Sequence, residues 1–207
     1  MIYLFKNLKM NNKQKIGSKI IFGNLYPLFY RLSKFLNYFI RVVNNQTFNG
    51  SINGEFWLRK QLLKRKVFLD VGFNSGEFSK YISVNNTSAS IYAFDPSLDV
   101  NKRFKNENHN YPNINLEQIA LSDIEGSSIF YDYGELNGCN SLVERKVDFP
   151  DKDDFKTYEV KTIKLDKWVN TKNISYVDLL KLDAEGFDLN ILEGSQELLY
   201  NQKIGVI

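Results

Sequence analysis

The sequence predicts an α/β fold with a mostly parallel, doubly wound sheet, and three observations support this prediction. Apolar runs with the length of a buried strand alternate with segments of helical periodicity. Several of these runs end in an acidic residue just before a turn. The first run leads through a glycine-containing turn into a helix, which is typical of the nucleotide-binding corner of Rossmann-like sheets.

The first predicted strand is Val67–Val71, in which Asp70 is the only polar residue. Gly72 and Gly76 bracket the turn that follows, and glycine allows a ligand to approach the main chain closely. Glu77 then begins a helix, where its negative charge suits the helix dipole. Both glycines are therefore candidate ligand-binding residues.

The residue order in this turn indicates which ligand it would bind. It reads D-x-G-x-N-x-G, whereas a dinucleotide-binding turn reads G-x-G-x-x-G. Asp70 would repel a pyrophosphate but suits a cation, such as the ammonium or sulfonium group of S-adenosylmethionine. Asn74 is expected either to bind that ligand's carboxylate or to shape the turn. The alternative is an ordinary strand, turn and helix, because a short glycine motif alone is a weak signal.

The second and third predicted strands supply further candidate contacts to a nucleoside. The second strand, residues 90–95, ends in Asp95, which we expect to accept the ribose hydroxyls; the alternative is a turn-forming Asp before Pro96. The third strand covers residues 114–121, and its end should face the adenine. The candidate ring contacts there are Ile119, Ala120 and Ser122.

Two alternating segments, residues 128–133 and 158–165, predict an antiparallel pair of strands. The loop between them, residues 134–154, contains the candidate substrate residues Asn140 and Ser141, because long loops on rigid scaffolds often carry substrate contacts. Its acidic run, residues 151–154, is expected to be a solvated charged segment.

The fourth predicted parallel strand covers residues 177–183 and ends in Asp183. In a sheet ordered 3-2-1-4-5 it lies beside the first strand, so Asp183 and Gly72 would flank the switch point where ligands bind. Residues 204–207 resemble the start of a fifth strand. We therefore expect the domain to be incomplete at its C-terminal end.

The charge distribution separates an N-terminal extension, residues 1–52, from a domain over residues 53–207. Residues 1–66 hold thirteen Lys and Arg against one acid, Glu55. Residues 28–43 predict a basic amphipathic helix, which is suited to an anionic membrane surface or, alternatively, to packing on the domain. A linker over 44–53 and a short helix over 55–64, a candidate lid over the cofactor, follow.

Composition excludes several classes of function. Cys139 and His109, the single cysteine and the single histidine, offer neither a zinc cluster nor a disulfide, and no metal site is expected. The acidic domain lacks the motifs of a nucleic-acid binder. The apolar run 20–30 is too short to span a bilayer. We expect a cytoplasmic protein. The helix over residues 28–43 is expected to pack on the domain, and peripheral contact with the inner membrane surface is the alternative. Nothing in the sequence indicates an oligomeric state.

Several stretches resemble the FkbM-type methyltransferases, a family of S-adenosylmethionine-dependent enzymes. Residues 67–79 resemble the family's first motif, with Phe73 where alanine is more usual, and Asp95-Pro96 resembles its second-strand Glu-Pro. Residues 180–194 closely resemble its L-K-I-D-V-E-G-F-E motif with the later leucine and glycine. Smaller similarities lie at residues 53–57, 120–123 and 140–142, whereas residues 1–52 match nothing in the family.

This resemblance implies a class I methyltransferase fold and the transfer of a methyl group from S-adenosylmethionine to a hydroxyl of a sugar, glycan or natural product. A hydroxyl must lose its proton during this reaction, so a nearby carboxylate would help. Asp183 is the first candidate and Glu185 the second. The alternatives are structural: Asp183 would bind backbone amides of the glycine turn, and Glu185 would cap the next helix.

Two other functions remain open from the sequence. An NAD-dependent oxidoreductase could use a similar corner, although Asp70 and the missing middle glycine of the turn argue against it. A non-catalytic nucleoside-binding or scaffold protein of the same fold would bind the cofactor without transferring its methyl group. Titration with S-adenosylmethionine and with NAD would separate the first of these from a methyltransferase.

Overall fold

The structure, a computed structural model, describes residues 63–145 and 155–207 together with Leu36, which is helical and 41% exposed. Several predicted features lie wholly or almost wholly outside the described residues, and they stay predictions: the amphipathic helix 28–43, the linker 44–53, the helix 55–64, the acidic run 151–154 and the boundary at residue 52.

The strands and helices of the described residues follow one another in an α/β pattern. The strands are β1 Val67–Val71, β2 Ser90–Phe94, β3 Ile114–Glu117, β4 Ala120–Leu121, β5 Gly126–Asp132, β6 Lys156–Ile163 and β7 Leu179–Leu182. The helices are α1 Glu77–Asn85, α2 Leu98–Glu107, α3 Leu165–Thr171, α4 Asp188–Glu193 and α5 Gln196–Tyr200. Within the described part of the chain, none of them combines the length and apolar character that crossing a membrane requires.

The main sheet has the order β3-β2-β1-β7, and all of its neighbouring strands are parallel. The last residues of the chain continue it beyond β7, because Val177 pairs with Ile204 in a parallel bridge and Leu180 N–H donates to the Val206 carbonyl at 2.9 Å. The predicted order 3-2-1-4-5 is therefore confirmed.

Apolar side chains bury the main sheet. Phe68 and Leu69 of β1 and Ile91 of β2 are fully buried, as expected for strands covered on both faces. The Trp168 ring of α3 packs edge-on against Phe94 of β2, with 4.7 Å between the ring centroids. This contact packs α3 against β2.

A second, three-stranded sheet has the order β4-β6-β5. The antiparallel pairing of β5 with β6 confirms the predicted pair of strands. The prediction of one continuous strand over residues 114–121 was wrong, because the chain breaks at residues 118–119. Its first half, β3, pairs with β2, whereas its second half, β4, leaves the main sheet to pair with β6.

Candidate functional site

A cleft opens at the carboxyl ends of β1, β2 and β7, which is where ligands bind in open α/β sheets. It encloses about 710 Å³ of space free of protein atoms, a volume that includes open solvent at its mouth. Of the candidate residues, those that line the cleft are Gly72, Asn74, Asp95, Ala120, Asn140, Ser141, Asp183 and Glu185. Three other candidates, Asp70, Gly76 and Ser122, do not line it.

We call the part of the cleft formed by residues 72–76 and 95–97 the cofactor side. Its turn depends on a left-handed backbone at Gly72, with φ +77°, and at Gly76, with φ +75°. A Cβ atom at Gly72 would lie 2.1 Å from the Asp183 carbonyl oxygen, so only glycine fits there. The Gly72 N–H donates to the Phe94 carbonyl at 3.0 Å, which fastens the turn to the end of β2.

Asn74 shapes the same turn through its backbone, which has a positive φ of 45°. Asparagine tolerates this conformation better than most residues do. Its N–H donates to Asp95 Oδ2 at 2.8 Å, and its carbonyl accepts a hydrogen bond from the Arg103 guanidinium. The backbone of Asn74 thus links the two loops of the cofactor side.

Asp95 is 7% exposed and fixed by backbone amides on both carboxylate oxygens. Oδ2 accepts from Asn74, and Oδ1 accepts from the Ser97 N–H at 2.9 Å. Burial raises the pKa of Asp95 from 3.8 to about 6, although these two amides oppose the rise. Each oxygen keeps a lone pair for another donor, such as a ribose hydroxyl.

Asp70 is 1% exposed and already has a cationic partner. Its Oδ2 accepts from the Ser79 hydroxyl at 2.6 Å, and its Oδ1 lies 3.1 Å from Lys181 Nζ. The structure therefore places an internal ammonium where the sequence had suggested that of a ligand. Sequence reasoning missed Lys181, although a lysine between Leu180 and Leu182 in an apolar strand is an unusual feature that could have been noticed.

Asp183 lies beside Gly72, as predicted, with its N–H donating to the Val71 carbonyl at 3.1 Å. Its side chain is 62% exposed at the cleft, and its Oδ2 lies 3.5 Å from Lys181 Nζ. The Asp183 carboxylate thus pairs with the Lys181 ammonium. The alternative role predicted from the sequence was that this carboxylate binds backbone amides of the glycine turn.

Glu185 has a positive φ of 53° and pairs with Arg145, whose Nη2 lies 2.7 Å from Oε2. Burial raises the pKa of Glu185, the Arg145 guanidinium opposes this rise, and the Asp183 carboxylate adds to it. The alternative that Glu185 caps the next helix is wrong, because α4 begins after Phe187 without a side-chain cap. Arg145 is a second residue that sequence reasoning missed.

Residues 134–145, which we call the acceptor side, form the opposite wall of the cleft. Ser141 is 3% exposed, and its hydroxyl lies 3.1 Å from the Ala184 carbonyl and 3.2 Å from the Glu185 carbonyl. Asn140 Oδ1 accepts from the Tyr133 N–H at 2.7 Å. In the described residues both side chains thus bind protein groups, which fixes the shape of this wall.

The predicted adenine contacts divide between the cleft and the interior. Ala120 and Ile119 line the cleft, at the break between β3 and β4. Ser122 is 4% exposed, and its hydroxyl accepts from the Ile124 N–H at 3.2 Å, so it shapes the turn after β4. Ser97, which lines the cleft and caps α2 with its hydroxyl, was not predicted.

The chain is similar to one family of domains and to two known proteins. A family model described as the methyltransferase FkbM domain matches residues 70–207. The AMB antimetabolite synthetase AmbE of Pseudomonas aeruginosa is 25% identical over a match that covers 62% of this chain and 8% of AmbE. The crystal structure of a methyltransferase FkbM from Methylobacillus flagellatus is 12% identical, with a TM-score of 0.46, and its match covers 84% of this chain and 48% of that one. The chain therefore spans less than half the length of either protein.

Proposed function

The chain belongs to the FkbM methyltransferase family, and on this premise we propose that it transfers a methyl group from S-adenosylmethionine to a hydroxyl of a sugar, glycan or natural product. The observation that carries this proposal is the buried Asp95 carboxylate on the cleft wall, held by two backbone amides with lone pairs left free. The similarity to an antimetabolite synthetase supports natural products among the candidate acceptors.

On this proposal, the cofactor side and the strand break at Ile119 and Ala120 would together hold S-adenosylmethionine. Asp95 would accept the ribose hydroxyls, the main chain at Gly72 would contact the amino-acid end, and Ile119 and Ala120 would contact the adenine. Gly72 leaves no space for a side chain of its own, so the backbone itself forms this part of the wall. When bound, S-adenosylmethionine supplies a methyl group that its sulfonium already activates.

The chain's own task is then to align the acceptor and take its proton. Asp183 is the better placed of the two candidate bases, because its side chain is exposed at the cleft. Its cationic partner, Lys181, is also shared with the Asp70 carboxylate. Glu185 is held by Arg145 against the acceptor side, which favours a role in shaping that wall. We therefore assign the proton-accepting role to an Asp183 carboxylate oxygen.

Calorimetric titration of the protein with S-adenosylmethionine and with NAD tests cofactor choice. We expect binding of S-adenosylmethionine only, and weaker binding by Asp95→Asn. Preference for NAD would replace this proposal with an oxidoreductase. Incubation with S-adenosylmethionine carrying a deuterated methyl group and a panel of sugars, followed by mass spectrometry, then tests transfer; binding with no labelled product from any acceptor would favour the non-catalytic alternative.

Asp183→Asn tests the assigned base directly. The amide cannot take a proton, so we expect transfer to fall by about 100-fold or more while S-adenosylmethionine still binds. The matched control is Asp99→Asn, which removes an exposed carboxylate from the first turn of α2 and should leave both measurements unchanged. Full turnover by Asp183→Asn would remove this residue from the mechanism.

A further inference from the structure

Lys181 is the charged residue in β7, a strand of the main sheet whose other residues are leucines. It pairs in register with Asp70 across the parallel strands β1 and β7, between the buried Leu180 and the half-buried Leu182. Its side chain is only 23% exposed. A charged pair in such a place costs free energy of desolvation, so its geometry indicates a specific task.

One part of that task is to neutralise Asp70. The carboxylate is 1% exposed, and its Oδ1 atom has no hydrogen bond, only the ammonium at 3.1 Å. In the described part of the chain Lys181 is the cation that ion-pairs with this acid. A buried carboxylate without its cation is strongly destabilising, so this contact supports the fold.

The same nitrogen also reaches the two residues that flank the switch point. Lys181 Nζ lies 3.4 Å from the Gly72 carbonyl and 3.5 Å from Asp183 Oδ2. An ammonium has three protons and can serve three acceptors at once. Because the Asp183 side chain is 62% exposed, this second ion pair adds little stability.

We propose that Lys181 is a positioning residue that holds the Asp183 carboxylate at the mouth of the cleft, in addition to neutralising Asp70. This inference rests on the proposed function, in which Asp183 accepts the proton of the acceptor. Burial lowers the pKa of Lys181, but the Asp70 and Asp183 carboxylates outweigh this effect and raise it, so the ammonium stays charged.

Glu185 is a further charge near this group. The Asp183 carboxylate repels the Glu185 carboxylate, which is itself paired with Arg145. Removal of the Lys181 ammonium would therefore leave the Asp183 carboxylate near two other carboxylates, those of Asp70 and Glu185. Glu185 would keep its cationic partner Arg145, whereas Asp70 would have lost its own. We expect the Asp183 side chain to leave its present position under these conditions and to sample several rotamers.

The test separates the two roles of Lys181 with three variants. Lys181→Met should unfold at lower urea concentration, because it leaves Asp70 without its cation. Asp70→Asn with Lys181→Met removes both charges and should recover most of that stability. Lys181→Arg keeps the positive charge. The matched control is Lys161→Met, which removes an exposed lysine from β6.

The deciding measurement is the rotamer distribution of the Asp183 side chain, which three-bond NMR couplings report. The Asp183→Asn variant identifies which NMR signals belong to this residue. We expect one dominant rotamer in the wild type, Lys181→Arg and Lys161→Met, and averaging in the Asp70→Asn/Lys181→Met double variant. A single, unchanged rotamer in the double variant would overturn the proposal and leave Lys181 as a partner of Asp70 only. Failure of the wild type to bind S-adenosylmethionine would overturn the proposed function instead, since the couplings are measured without ligand.

Discussion

The two walls of the cleft are held in different ways. On the cofactor side, backbone amides hold the turn: the Gly72 N–H donates to the Phe94 carbonyl, and the Asn74 and Ser97 N–H groups donate to the Asp95 carboxylate. On the acceptor side, the side chains of Ser141 and Arg145 fasten a loop to the turn after β7, which lies forty or more positions away in the chain.

This difference indicates how the work of the site is divided. Backbone amides at the strand ends are placed once the sheet forms, so we expect the cofactor side to tolerate few changes. Side-chain contacts across a long chain separation can be altered one at a time without disturbing the sheet. The acceptor side is therefore where we expect substrate specificity to vary, and the following changes probe each wall.

The largest expected effect is that of Gly72→Ala on the cofactor side. The new Cβ atom would meet the Asp183 carbonyl at 2.1 Å and would also force alanine into a left-handed backbone. We expect the free energy of unfolding to fall by about 3 kcal/mol or more. Gly186→Ala is the control, because it has a positive φ of 97° but nothing within 4 Å, and should cost about 1–2 kcal/mol. Equal losses of unfolding free energy in the two variants, measured by urea denaturation, would show that the contact with the Asp183 carbonyl contributes nothing.

A smaller effect on the same wall should follow from the titration of Asp95. Its pKa is about 6 in the folded protein and 3.8 ordinarily, so this group favours folding most at low pH, and that contribution is lost as the pH rises through about 6. If Asp95 accepts the ribose hydroxyls as proposed, binding of S-adenosylmethionine should have the opposite sign, because the ionised carboxylate is the better acceptor.

Affinity for S-adenosylmethionine should therefore fall by about tenfold between about pH 7 and about pH 5, where only about a tenth of Asp95 is ionised. Calorimetry at a series of pH values measures this change. Asp95→Asn should bind weakly and with little pH dependence over the same range. An equally steep dependence in that variant would assign the titration to another group.

The smallest effect is expected on the acceptor side, from Ser141→Ala. Loss of the buried hydroxyl leaves the Ala184 and Glu185 carbonyls without that donor and should cost about 1 kcal/mol of unfolding free energy. Affinity for S-adenosylmethionine should not change, whereas methyl transfer should fall. Ser127→Ala, which removes an exposed hydroxyl from β5, is the control. A drop in cofactor affinity with Ser141→Ala would contradict the division between the two walls.

The sequence by itself determined the parallel sheet, the glycine turn and the acids at the ends of β1, β2 and β7, and the family match confirms the resemblance to FkbM-type methyltransferases. These features follow from local periodicity and backbone preferences, which neighbouring residues are enough to specify. Only the tertiary structure decided that Asp70 faces Lys181, that Glu185 pairs with Arg145 and that the third strand divides between two sheets. These contacts join residues far apart in the chain, and their choice depends on which partner the folded backbone brings within reach.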